Sequence, residues 1–146
     1  MPGAPEHLQA ILRGEAPLPT FVGLVGLRLT AAKPGEAHFE LELDPAHHMN
    51  RMGTVHGGVL CTLADSATGF AYTTTLAEGE SLTTVELKIN YLKPVRAGVL
   101  RAVGRVVKGG RTIGLTECDI TDETGSLVAR ASATCMTLRG EMARGR

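Results

Sequence analysis

The stretch Val55-His56-Gly57-Gly58-Val59-Leu60-Cys61-Thr62-Leu63-Ala64-Asp65-Ser66-Ala67-Thr68-Gly69-Phe70-Ala71-Tyr72, running on to Leu76, decides the fold. Val59, Leu60, Leu63, Ala64, Ala67, Phe70 and Ala71 fall on one stripe at helical spacing, which predicts one long helix from Val55 to about Leu76. Between Arg51 and Glu78 lie 26 residues with one formally charged side chain, Asp65, beside the titratable His56. A surface helix normally covers its solvent face with Lys, Glu and Arg. Here, at about 100° per residue, the face opposite Leu60, Leu63 and Ala67 is Gly58, Cys61, Asp65, Thr68, Gly69 and Tyr72. Such a helix is expected to be buried on nearly every side, by its own sheet and by a second subunit, with Asp65 a lone acid in a poorly hydrated seam. A carboxylate in that position must be paired, protonated or functional, and a structural hydrogen bond to a neighbouring turn or across an interface is the competing reading.

Working outward, Pro5 to Gly14 has a short helical pattern in an N-terminal arm spanning residues 1–20. Two extended runs follow, Leu24 to Ala32 and Glu36 to Leu43, joined by a hairpin turn at Lys33-Pro34-Gly35. After Gly79 four strand-like stretches run from about Thr83 to Leu92, Val99 to Lys108, Thr112 to Thr121 and Leu127 to Leu138. Gly109-Gly110 and Asp122-Glu123-Thr124-Gly125 are short enough for hairpins, so those neighbours should pair antiparallel. On the Val99 strand, Leu100, Ala102, Gly104 and Val106 make a small apolar face that lets a helix approach closely. The expected architecture is α+β: an antiparallel sheet of about six strands with one long helix, in a single domain over residues 21–138, ended by a charged tail over 139–146 that is expected to fray.

The length of 146 residues is one domain's worth, and 15 Lys plus Arg balance 15 Asp plus Glu. There is thus no global field to draw the chain onto nucleic acid or an anionic membrane. With no Trp, three Phe and two Tyr, it also lacks the aromatic platforms on which single-stranded nucleic acid stacks. Cys61, Cys118 and Cys135 are odd in number and form no C-x-x-C pair, so they read as free thiols in a reducing compartment. No signal-like start and no run of 18 apolar residues occurs, so a cytoplasmic protein with no membrane partner is expected.

At the helix start, Asn50-Arg51-Met52-Gly53-Thr54-Val55-His56-Gly57-Gly58 puts a glycine pair where free amide N–H groups and the positive end of the dipole can meet an anion or a polarised carbonyl oxygen. A flexible entry turn would read the same way. His47, His48 and His56 lack the spacing and the acidic or Cys partner of a metal site, so no metal is expected. Cys61 is one turn from Asp65, whose charge would raise a thiol's pKa, so it is not read as a nucleophile. Thr68, Tyr72 and Cys61 read as pocket lining, although helical spacing equally allows plain packing.

Asn50-x5-His56-Gly57-Gly58-x6-Asp65, followed by the strand Thr84-Val85-Glu86-Leu87-Lys88-Ile89-Asn90-Tyr91, resembles the phenylacetate-pathway (PaaI-like) thioesterases of the hotdog fold, over about Phe21 to Leu138. The resemblance implies a sheet curled around a central helix, dimers that share active sites and pair into tetramers, and hydrolysis of acyl-CoA thioesters, with aryl or medium-chain acyl groups, without a cofactor. It implies that Asp65 is the catalytic carboxylate, as general base or nucleophile, that the Gly57 amide polarises the thioester carbonyl, and that Asn50 and His56 position that end of the substrate. Gly58 and a hydroxyl residue at the start of the following strand, Thr84 or by a one-residue slip Thr83, complete the implied site. The chemistry is self-consistent: a thiolate leaves readily, so an activated water or carboxylate plus an amide donor suffices, and no G-x-S-x-G elbow occurs.

Residues 87–116 contain Lys88, Lys93, Arg96, Arg101, Arg105, Lys108 and Arg111 and no acid, a cluster suited to the phosphates of coenzyme A, with Lys108 and Arg111 as the candidate contacts. A solvated sheet face is the plainer reading of any one of them. Rival functions are a thioesterase acting on an acyl carrier protein and a non-catalytic acyl-CoA binding module. A dehydratase is disfavoured because the hydratases of this fold resemble one another through an Asp-x4-His helix pattern, and here Phe70 stands five residues after Asp65. Finally, Gly57 and Asp65 stand about 12 Å apart along one helix, too far for one carbonyl to touch both. Two antiparallel helices would bring Gly57 of one subunit to Asp65 of the other, which predicts a homodimer with composite sites.

Overall fold

The computed structural model describes residues 4–145, in the order α1 (Ala4–Leu12), α2 (Thr20–Val25), β1 (Arg28–Lys33), β2 (Glu36–Glu42), α3 (Gly57–Thr73), β3 (Ser81–Tyr91), β4 (Val99–Gly109), β5 (Ile113–Thr121), β6 (Leu127–Leu138) and a closing 3-10 turn (Gly140–Arg144). The first three residues of the N-terminal arm and Arg146 of the tail lie outside the described residues. The six strands form one antiparallel sheet in the order β1-β2-β4-β5-β6-β3, and α3 touches all six, so the sheet curls around the helix.

Helix and sheet meet most closely at Gly104 on β4. A β carbon there would stand 2.2 Å from the Ala67 carbonyl oxygen and 2.8 Å from the Thr68 nitrogen, so the helix backbone lies directly on the strand. The small-residue face read from the sequence does what it implies: Leu100 and Ala102 are fully buried beneath Leu63, Ala64 and Ala67, which are fully buried in turn. Phe39 on β2 meets Phe70 edge to face with ring centroids 5.0 Å apart, a geometry worth about 1 kcal/mol beyond burial. Hydroxyls within a helix are satisfied if they bond to their own backbone. Thr62, Thr68 and Thr73 do so, donating to the carbonyls of Gly58, Ala64 and Gly69. Among the described residues no buried side-chain nitrogen or oxygen lacks a partner.

Both hairpins expected after β4 and β5 form, the second capped by Asp122 Oδ1, which accepts the N–H groups of Thr124 and Ser126. The extended run expected from Leu24 begins instead at Arg28, because Thr20–Val25 is a short helix closed by Gly26 at φ +89°. A short apolar run does not distinguish helix from strand by periodicity. Helix α3 is likewise shorter than its pattern: Val55 donates its N–H to Val95 before the helix starts, and the chain turns after Thr73. The tail is tied back, since Arg139 pairs with Glu80 and Ser81 donates to the Ala143 carbonyl. No helix among the described residues is long and apolar enough to cross a membrane.

The two sheet edges differ. Strand β1 is covered by α1, whose Leu8 is buried and whose Gln9 donates to the Ala32 carbonyl. Among the described residues strand β3, 11 residues long, pairs only with β6, and its other side is open.

Replacing Gly104 by alanine should destabilise the protein by about 3 kcal/mol, because the added methyl meets helix backbone rather than a movable side chain. Urea unfolding of parent and variant measures it, and equal midpoints would show that α3 can lift from β4 without cost.

Candidate active site

The loop before α3 is built by Asn50. Its Oδ1 accepts the N–H groups of Met52 (2.9 Å) and Thr54 (3.2 Å), and its Nδ2 donates to Thr54 Oγ1 (2.8 Å). Arg96 closes the loop from outside by donating to the carbonyls of Met52 and Gly53. His56 then caps the helix, its Nδ1 accepting the Gly58 N–H at 2.9 Å. Capping by an acceptor at this position satisfies one of the four N–H groups that a helix start leaves open. The N–H groups of Val59 and Leu60 turn back to the His56 carbonyl, whereas the Gly57 N–H donates to no group among the described residues. Gly57 faces a groove of about 440 Å³ that also touches Asn50, Leu60, Tyr91 and Lys93.

A second groove of about 300 Å³ opens further along the same helix face, lined by Cys61, Thr62, Asp65, Thr84 and Leu87. Asp65 is exposed in the single chain, and its Oδ1 accepts a hydrogen bond from Thr84 Oγ1 at 2.8 Å. Delivery of that hydroxyl depends on a β-bulge. Strict alternation back from Tyr91, Ile89 and Leu87 would carry Thr83 onto the helix side. The register with β6 slips at Val85, however, pairing Thr84 with Cys135 and Glu86 with Thr134, so Thr84 shares the inner face with Leu87. Thr83 is thereby turned to the opposite face, away from Asp65.

Two other expected lining residues are not in the site. Thr68 and Tyr72 are buried, Thr68 bonded to its own helix and Tyr72 Oη bonded to Thr137 Oγ1 at 2.8 Å. Tyr72 lies nearly in line with Asp65 around the helix, but the sheet closes over the last turns: a β carbon at Gly114 would stand 2.2 Å from the Tyr72 ring. The open face is therefore narrower than the sequence implied, running along Gly58, Cys61, Asp65 and Gly69. Cys118 and Cys135 are buried, and burial pushes the Cys118 thiol up to about 12.

Most of the basic stretch is engaged locally. Lys93 pairs with Asp122, Arg101 with Glu40 and Arg105 with Glu36, while Lys88 donates to Asn90. A hydrogen bond from His38, reinforced by Lys33 and Arg105, holds the Glu36 carboxyl down to about 2. Lys108 and Arg111 have no acidic partner among the described residues, but they sit at the β4–β5 hairpin near the C-terminal end of α3, away from Gly57. The histidines of the loop have separate tasks: His48 accepts the Asp44 N–H and donates to the Val25 carbonyl, and His47 meets the Asp44 carboxylate.

Tyr91 is a site residue that the sequence reading passed over. Its hydroxyl donates to the Gly57 carbonyl (3.1 Å) and lies 3.1 Å from Cys61 Sγ. The strand alternation placed it on the helix side, but nothing in the sequence tied it to a glycine 34 positions earlier.

A family profile described as Thioesterase superfamily matches residues 52–129. The chain is 29% identical over 132 residues to human acyl-coenzyme A thioesterase 13, covering 88% of this chain and 93% of that one. Among solved structures, a phenylacetic acid degradation-related protein from Ralstonia eutropha superposes with a TM-score of 0.81 at 34% identity, covering 88% of this chain and 98% of the other. A mutant of the phenylacetic acid degradation protein PaaI from Thermus thermophilus gives 0.74 at 30% identity, with 81% and 98% covered.

Removing the capping imidazole with His56→Ala should cost about 1 kcal/mol of stability, the usual value of an N-cap. Thermal and urea unfolding check this; an unchanged midpoint would mean that the Gly58 N–H is equally well satisfied by water.

Proposed function

The chain belongs to the thioesterase superfamily and is a PaaI-like thioester hydrolase of the hotdog fold, and from that premise we propose that it cleaves acyl-CoA thioesters to a free acid and coenzyme A, using Asp65 and the Gly57 amide. The observation that carries this reading is the presence of two groups on one open helix face: an exposed carboxylate oriented by Thr84, and a backbone N–H at the helix start that has no partner among the described residues. As general base, Asp65 takes a proton from water as the water oxygen bonds to the thioester carbon; as nucleophile, it makes that bond itself. In either case the carbonyl oxygen gains charge beside the Gly57 N–H, and collapse expels the coenzyme A thiolate; on the nucleophilic route water then hydrolyses the acyl anhydride on Asp65, releasing the acid and restoring the carboxylate. No step calls for a cofactor. Aryl acyl groups are favoured because two of the similar structures are described as phenylacetic acid degradation proteins.

The same reading requires a homodimer. Gly57 and Asp65 lie about 12 Å apart along α3, and they open into separate grooves. A two-fold axis at the open edge of β3 would pair that edge with its copy and set two α3 helices antiparallel, joining the Gly57 groove of one subunit to the Asp65 groove of the other. Pairing of such dimers gives a tetramer. In this assembly Asn50 and His56 act by holding the loop and the helix start. Lys108 and Arg111, without acidic partners among the described residues, remain the candidates for the coenzyme A phosphates.

Asp65→Asn should keep the fold and lower hydrolysis of aryl and medium-chain acyl-CoAs by about a hundredfold or more, read with a thiol reagent. Unchanged turnover ends the assignment of Asp65. Co-refolding Asp65→Asn subunits with Gly57→Pro subunits should restore activity, since each heterodimer regains one intact site. Heterodimers no more active than either parent variant would refute the shared site. If Lys108 and Arg111 meet phosphates, KM for acyl-CoA should rise with salt while that for acyl-pantetheine should not; equal responses would remove them from the site.

A further inference from the structure

We propose that Tyr91 is a positioning residue that clamps the Gly57–Gly58 peptide and thereby aims the Gly57 N–H at the thioester carbonyl, an inference that rests on the reading of Gly57 as the oxyanion donor. A peptide unit flanked by two glycines is the least restrained kind in a chain, because neither end has a β carbon to limit its rotation. An oxyanion donor must instead be fixed before the reaction, since its advantage lies in needing no reorganisation as charge develops. The helix start resolves this conflict with two side chains. The Gly58 N–H donates to His56 Nδ1 at 2.9 Å, and the Gly57 carbonyl of the same peptide accepts the Tyr91 hydroxyl at 3.1 Å. The Gly57 N–H itself belongs to the preceding peptide, whose His56 carbonyl accepts the Val59 and Leu60 N–H groups. With the Gly57–Gly58 plane also held at both polar ends, the two rotatable bonds of the Gly57 α carbon are restrained from both sides.

The glycines are also what lets the clamps close. A β carbon at Gly57 would stand 3.0 Å from Tyr91 Oη and Cζ, and one at Gly58 would stand 3.0 Å from His56 Nδ1. Beyond admitting substrate, the pair therefore gives the two rings their approach to the peptide. The Tyr91 hydroxyl has one proton and the Gly57 carbonyl can only accept, so the Cys61 thiol, 3.1 Å away, fits as a donor to Tyr91 Oη. The base of the tyrosine is anchored as well, for the next two residues, Leu92 and Lys93, both donate their N–H groups to the Val128 carbonyl.

The test removes the hydroxyl and keeps the ring. Tyr91→Phe should lower kcat for acyl-CoA about tenfold with KM within about twofold and an unchanged unfolding midpoint, the pattern of a lost transition-state interaction. Amide NMR gives a readout apart from turnover. A ketone analogue of the substrate, with methylene in place of the thioester sulfur, should shift the Gly57 N–H resonance in the parent and shift it less in Tyr91→Phe. Parent-like kcat in Tyr91→Phe with loss only in Tyr91→Leu would overturn the proposal, because ring packing would then be what matters. An equal Gly57 shift in parent and Tyr91→Phe would overturn it too. If the analogue leaves the Gly57 resonance of the parent unmoved, the oxyanion role of Gly57 fails first, and the role of Tyr91 fails with it.

Discussion

Where Gly104 lets the backbone of α3 touch β4, the depth and the rotation of the helix are both set. Ala67, whose carbonyl makes the contact, lies about 200° around the helix from Asp65. A helix pressed onto the sheet at Ala67 must therefore turn Asp65 outward. The alanines at 64, 67 and 71 follow from the same closeness, since each is fully buried where a larger side chain would lift the helix. The face left open by this packing is the one with small or uncharged side chains and a single acid, so one contact sets which side of the helix is available for chemistry.

The polar residues around the helix start divide into those that hold structure and those left free to act. Asn50 folds the loop, His56 caps the helix, Arg96 secures the loop carbonyls and Tyr91 holds a peptide plane. What remains available is a backbone N–H at Gly57 and a carboxylate at Asp65. A thioester, with its electrophilic carbon and good leaving group, is a substrate for which so small a set of groups suffices.

What could be read from the sequence was what periodicity and turn chemistry encode. The long helix, its lone acid, the small-residue face of β4 and the two hairpins each depend on residues close together in the chain. Thr84 against Thr83 could not be settled that way, because a one-residue bulge at Val85 reverses the alternation and leaves no mark in composition. Tyr72 was misplaced because angular position on a helix says nothing of how far a curled sheet reaches along it. The contact of Tyr91 with Gly57 was invisible for a similar reason: it joins the end of a strand to the start of a helix, and only their packing brings them together. The run of bases looked like a phosphate surface in one dimension. In three, its acids were supplied by β2 and the β5–β6 turn.

The position of β3 also governs when the molecule can become whole. It leaves α3 directly, yet its partner in the sheet is β6, the last strand to be synthesised. A chain emerging from its N-terminus can lay α3 against β1 and β2, but β3 must wait until β4, β5 and β6 have formed before it has a neighbour. Such non-local pairing slows folding and lengthens the time that a strand is bare. Because β3 is both the last strand to dock and the source of Thr84 and Tyr91, the groups around Asp65 and Gly57 are assembled at the end of folding. A nascent chain truncated before β6 would retain the acid and the helix but have nothing to hold the strand that completes them.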